Sequence, residues 1–255
     1  MSDDIPFDKS FDLAPGRVEE VAPLVRRLVC NNPGPFTFKG TVSYIVGRGE
    51  VAIIDPGPDD ARHAAALLDA VRGETVSHIF VTHTHRDHSP NVPRIKAATG
   101  ARTFGEGPHR AARALHIGEH NPLDSSGDHV MAWATSVVAP PDGAMSDYMA
   151  SLDKLAAREE GVYLPGHGGA IRDARRFVRY YIDHRRGREA SILHRLAKGA
   201  ADIPTLVRAI YIGLDSRLVG AAGLSVLAHL EDLVARGLVA TDGAPSIAGD
   251  YRLAG

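Results

Sequence analysis

Thr82-His83-Thr84-His85-Arg86-Asp87-His88 is the stretch on which the reading of this chain turns. The 255 residues include 13 histidines. Three of them fall within this run as His-x-His-x-Asp-His, a pattern that composition alone would produce about 0.003 times in such a chain. The preceding residues 76–82 (VSHIFVT) are β-branched and apolar and read as a buried strand. The histidines therefore follow the C-terminal end of a strand, where α/β sites are built. In extended backbone His83 and His85 point the same way, whereas Asp87 and His88 come after a turn and face elsewhere. That arrangement suits two adjacent divalent cations, one taking His83 and His85, the other Asp87 and His88. Imidazole and carboxylate donors suit zinc first, manganese or iron less specifically.

Working outward, residues 42–47 and 50–54 read as a β-hairpin that stops at Asp55-Pro56-Gly57-Pro58. A helix is expected over 59–72 behind an Asp start, a short helix over 91–98 and a strand over 101–104. This alternation is an α/β rhythm. An amphipathic helix is expected over 144–158, a strand over 161–164 and a long helix from about 170, with Gly187 as a boundary. Two more metal donors are on offer. Asp128, between Gly127 and His129, could bridge two ions, and His167 stands in Pro165-Gly166-His167-Gly168, where the glycines allow close backbone approach.

Composition narrows the function. With 44% hydrophobic and 24% charged residues the chain has ordinary globular usage. A net charge of -2 excludes a whole-chain polycation that coats nucleic acid. Cys30 is the single cysteine, so no intramolecular disulfide and no Cys-built zinc knuckle can form. The acidic N-terminus lacks the pattern of a signal peptide, and no run of residues approaches 18 apolar positions. The expectation is a cytoplasmic protein that spans no membrane.

Residues 188–198, 203–212 and 217–236 read as three helices, and 238–240 with 251–253 as a hairpin, which together match a winged helix. The expected division is a first domain over 1–186 and a winged-helix-like domain over 187–255. From 189 to 255 six basic residues face seven acidic ones, so duplex DNA is not an expected partner. Between 172 and 188 stand seven arginines, Arg172, Arg175, Arg176, Arg179, Arg185, Arg186 and Arg188, against Asp173 and Asp183. They read as a solvated helix face, a subunit contact in a homo-oligomer, or a path for a phosphate-rich substrate.

The Asp55-x-Gly turn, His-x-His-x-Asp-His, Gly-Asp-His and Pro-Gly-His-Gly, in this order, resemble the metallo-β-lactamase fold. Residues 32–41 (NPGPFTFKGT) and the closing winged helix resemble its lactamase-β-like protein 2 branch. The resemblance implies an αββα sandwich holding two zinc ions. It implies His83 and His85 on the first ion, Asp87, His88 and His167 on the second, Asp128 bridging, and Asp55 supporting the loop from beneath. It further implies metal-assisted hydrolysis with Asp87 orienting the attacking water, against a small ester or thioester or a single-stranded RNA. In that family a third histidine for the first ion stands in a loop well before the bridging Asp. This chain has no such loop, and the interval from His88 to Asp128 is a few tens of residues shorter than the resemblance leads one to expect. Residues 118–127 are thus the expected anomaly, with His109, His116, His120 and His129 as substitutes for the third ligand. A degenerate site would make the chain a non-catalytic interaction protein.

Overall fold

The structure is a computed structural model that describes residues 5–105, 119–120 and 127–255. It divides into two compact units. One comprises Phe7–Ala134 and Tyr163–Ile171, the other chiefly Thr135–Val162 and Arg172–Gly255.

The first unit is built on a seven-stranded sheet. Strands β1 (Glu19–Ala22), β2 (Val25–Val29), β3 (Val42–Arg48) and β4 (Glu50–Ile54) are neighbours in that order and antiparallel. Strands β5 (Thr75–Val81), β6 (Arg102–Gly105) and the short β7 (Glu119–His120) continue the sheet in parallel. Parallel neighbours need a crossover, supplied by helices α1 (Ala61–Ala70) and α2 (Val92–Thr99). Asp60 starts α1 by accepting hydrogen bonds from the backbone N–H groups of Arg62 and His63, worth about 1 kcal/mol. Gly100, at φ 71°, ends α2 as left-handed closing residues do. In β4, Val51 and Ile53 alternate inward at the period of two that a strand imposes. They pack with Ile45, Ile79, Leu67 and Ile95 into a core between the sheet and the two helices. The His cluster follows β5, which has neighbours on both sides, so it stands at the C-terminal end of an interior parallel strand, as expected.

Two expectations change in this unit. Strands β1 and β2 were not foreseen; Arg26, buried in β2 and paired with Glu74 at 2.7 Å, interrupts the apolar pattern. Residues 161–164 form no strand, because Tyr163 makes only an isolated bridge to Ile171 and Pro165 then breaks the ladder. Outside the seven-stranded sheet the described residues of this unit also make isolated bridges, Thr41 to His167 and Tyr163 to Ile171. Most of the expected anomaly at 118–127 lies outside the described residues, as do the side chains of His109, His116 and His120.

The second unit holds α3 (Met145–Ala156), α4 (Ala174–Leu196), α5 (Ile203–Ile210), a 3-10 turn (Ser216–Leu218) and α6 (Val219–Ala235). Strands β8 (Ala201–Asp202), β10 (Asp250–Leu253) and β9 (Val239–Thr241) form a three-stranded sheet in that order. Ile192, Leu206, Val226, Leu230, Leu233 and Tyr251 form its core. The boundary expected at 186/187 falls inside α4, and residues 135–162 and 172–186 group with the winged helix. A glycine inside a helix costs about 1 kcal/mol, which burial of Ile182 and Ile192 on either side of Gly187 offsets. The segment Ser216–Ala235 is long and apolar enough to cross a membrane by length and composition, contrary to the sequence reading. Half of it is buried inside the protein, as the core helix of this winged unit.

Candidate metal centre

The centre begins with Asp55. It ends the hairpin in the left-handed region, φ 49°, where Asp is one of the few side chains found with any frequency. The residue is 2% exposed. It accepts hydrogen bonds from the Thr82 backbone N–H and the Thr82 hydroxyl, both at 2.7 Å, and it faces His88 Nδ1 at 2.9 Å. Asp55 thus ties the end of β4 to the end of β5 and fixes the ring of His88. That is how outer-shell carboxylates orient metal-ligating histidines. The sequence reading missed Thr82, which belongs to the quoted motif but carries no metal donor of its own.

His88 Nε2, with the residue fully buried, points into a small volume shared with three other donors. It lies 3.2 Å from His167 Nε2, 3.3 Å from Asp87 Oδ2 and 3.4 Å from Asp128 Oδ2. His167 Nε2 lies 3.1 Å from Asp87 Oδ2 and 3.3 Å from Asp128 Oδ2. Donor atoms of Asp87, His88, Asp128 and His167 all fall within 4.8 Å of one another. These are the four residues expected at the second ion, the bridging Asp included.

His83 and His85 stand beside this group. His83 Nε2 is 3.0 Å from His85 Nδ1 and 3.8 Å from Asp128 Oδ2. His83 thus links His85 to Asp128, but neither His83 nor His85 belongs to the group of donors that meet within 4.8 Å. His129 does not join the converging group.

His167 is held by backbone rather than by a strand of its own. Val42 N–H donates to the Gly166 carbonyl at 2.8 Å, the Tyr44 hydroxyl donates to the Pro165 carbonyl at 2.7 Å, and His167 Nδ1 lies 3.3 Å from the Gly40 carbonyl. Asp128 is likewise held through the backbone of its neighbour. Gly127 turns the chain at φ 44°, and its carbonyl accepts from Gly166 N–H at 3.2 Å. Gly166 is required by space: a Cβ there would stand 2.6 Å from His88 Cε1 and 2.7 Å from Asp128 Oδ1.

The electrostatics describe a cluster arranged for positive charge. Burial would raise Asp87 and Asp128, but hydrogen bonds from His167 and His88 hold both well below the usual carboxylate range. Burial opposes protonation of His167, yet its hydrogen bonds to Asp128 and Asp87 carry it up to about 9. His88 is likewise pushed well above the ordinary histidine range, burial being outweighed by Asp55 and the neighbouring carboxylates. His83, buried and next to His88, is driven down to about 4. Two carboxylates and two imidazoles aimed at one point need protons or a cation between them, and a divalent ion would release those protons. Two imidazole nitrogens with two carboxylate oxygens fit zinc.

The sequence pattern of the metallo-beta-lactamase superfamily matches residues 36–120, and that of the beta-lactamase associated winged helix domain matches 203–247. The chain carries a metallo-β-lactamase domain and its associated winged helix. A beta-lactamase domain protein from Burkholderia ambifaria superposes with TM-score 0.78 at 18% identity over 96% of each chain. A metallo-beta-lactamase family protein from Thermus thermophilus gives 0.71 at 21% identity over 92% of this chain and all of the other. Both show the shared fold. The lactamase-like protein adaB of Aspergillus niger is 26% identical over 79% of this chain and 77% of its own length. The atrochrysone carboxyl ACP thioesterase AacuM of Aspergillus aculeatus is 27% identical over 74% and 70%. The adaB alignment runs over 248 positions but uses 79% of 255 residues, about 200, so on the order of 45 positions have no residue in this chain.

Proposed function

We propose that this metallo-β-lactamase domain hydrolyses a small thioester with divalent ions, zinc first, one held by Asp87, His88, Asp128 and His167 and a second served by His83, His85 and Asp128. The convergence of four donors within 4.8 Å carries this reading. The names of the thioesterase relatives support the substrate class. A divalent cation in such a donor set supplies Lewis acidity toward a carbonyl oxygen and makes water a competent nucleophile near neutral pH.

The chain's own side chains supply position. Asp55 holds the His88 ring, Gly40 and β3 hold His167, and the Gly127 turn aims Asp128. Asp87 keeps a quarter of its side chain exposed, so its carboxylate can accept a hydrogen bond from an incoming water and orient it. Cys30 is not a nucleophile: it is buried, and burial together with the Asp60 charge pushes its thiol up to about 12.

The test follows release of free thiol from S-butyryl-N-acetylcysteamine while bound metal is measured on the same sample. Turnover should fall with chelation and return with zinc. Equal turnover in metal-free protein would overturn the reading. Absence of both metal and turnover would leave the interaction protein in its place. Faster cleavage of single-stranded RNA than of the thioester would replace the substrate class and keep the ion site.

A further inference from the structure

A cavity of about 420 Å³ lies in the second unit, lined by residues of α3, α4 and α6. That volume is in the range of small-molecule sites. Met145 and Met149 give it an apolar wall, and Arg185, Arg186 and Arg236 give it positive charge. Arg236 is neutralised within the protein, by Glu189 at 2.8 and 2.9 Å and by Asp232 at 2.8 Å. The other two arginines have no carboxylate contact among the described residues.

Arg185 is 3% exposed. One of its terminal nitrogens donates to the Ser136 carbonyl, and the guanidinium lies 5.0 Å from the centre of the Tyr148 ring. Its Nε has no hydrogen-bond partner. A buried guanidinium without a counter-charge is costly. His229 repeats the pattern: it lines the same cavity, is 2% exposed, and its Nε2 has no partner. Burial first, then Arg185, His184 and Arg188, drive His229 down to about 3, so it stays neutral and retains one N–H that can donate. Arg185 and His229 both line the cavity; with Glu189 and Asp232 engaged by Arg236, a guanidinium and an imidazole with spare donor capacity there suit an oxyanion.

We propose that this cavity binds a small organic anion, its carboxylate or phosphate head taken by Arg185, Arg186 and His229 and its apolar body laid along Met145 and Met149. The inference stands apart from the hydrolytic reading, because no residue of the metal centre enters it. Arg185 and Arg186 thereby gain a use distinct from the solvated face or substrate path read from the sequence.

The experiment is calorimetry on the full-length, metal-loaded chain with hexanoate, hexyl phosphate and 1-hexanol. An anion should bind with Kd about 1 mM, as eight or so non-hydrogen atoms of ordinary efficiency allow, and hexanol at least about 10-fold more weakly, since the charged head supplies the strong hydrogen bonds. The tighter of the two anions names the head group. Arg186→Gln, an exposed position that leaves the fold alone, should weaken binding about 5- to 10-fold. Met149→Glu, which places a negative charge in the cavity, should abolish it. Hexanol binding as tightly as the anions, an unchanged Kd in Arg186→Gln, which would place the anion elsewhere, at the metal centre included, or no heat from either anion up to about 10 mM, ten times the expected Kd, would each overturn the proposal.

Discussion

His88 and His229 are both buried histidines, and their surroundings have opposite sign. Around His88 stand three carboxylates, Asp55, Asp87 and Asp128, which raise its affinity for a proton. Around His229 stand Arg185, His184 and Arg188, which with burial lower it. Both ring nitrogens of His88 are engaged, whereas Nε2 of His229 has no partner. A buried polar group that is satisfied in this way holds a geometry; one that is not either weakens the fold or awaits a ligand. One chain thus carries a site that calls for a cation and a cavity that calls for an anion.

The sharpest way to break this contrast is at His88. His88→Ala should remove more than about 100-fold in metal affinity, beyond the 10- to 100-fold typical of an outer-shell change, read by metal analysis after dialysis. Full metal retention would dissolve the centre as described. Gly166→Ala comes next. Its Cβ would press on His88 and Asp128, with a stability cost of about 1–3 kcal/mol for overpacking and a lowered metal content. A variant with wild-type denaturation midpoint and metal content would show that the cradle has room.

The contrast also has a pH signature. His229 is held near 3 in the folded chain against 6.5 as an ordinary histidine. Below pH 6.5 the unfolded chain binds the extra proton, so this group removes stability as pH falls from 6.5 toward about 3. His229→Gln cannot titrate and should lose about 2–3 kcal/mol less than wild type between about pH 7.5 and 4.5, measured by urea denaturation. Parallel curves for the two proteins would mean that His229 is protonated or solvated in the folded state. The smallest effects should be alike in both units. Asp60 caps α1 and Asp202 caps α5 by the same side-chain contact, and replacing either with Ala should cost about 1 kcal/mol. A cost confined to one unit would show that the two do not unfold together.

The sequence exposed those parts of the molecule in which neighbouring residues act together. His83, His85, Asp87 and His88 lie within one turn after one strand, so their spacing already carried the chemistry. Asp128 and His167 were readable only through flanking glycines, and their positions depend on Gly166, Gly40 and Tyr44, whose roles are spatial. The winged helix was legible from its periodicity, but its extent was not. The packing of Ile182 and Ile192 carries α4 straight through Gly187, where a glycine suggests a stop. The cavity of Met145, Arg185 and His229 left no mark in the sequence, because its three helices lie far apart along the chain. In a linear reading Arg185 is one of seven arginines; only burial separates it from Arg186 beside it.

The four donors also have a topological consequence. Asp87 and His88 are neighbours, but Asp128 lies 40 positions beyond His88 and His167 a further 39. An ion gripping all four would cross-link the chain at one point and close two loops in the manner of a pair of disulfides, although Cys30 has no sulfur to pair with. For a loop of that length the lost chain entropy corresponds to about 4 kcal/mol per closure. A chelator should therefore act on this protein as a reductant acts on a secreted one, loosening the chain by opening its cross-link.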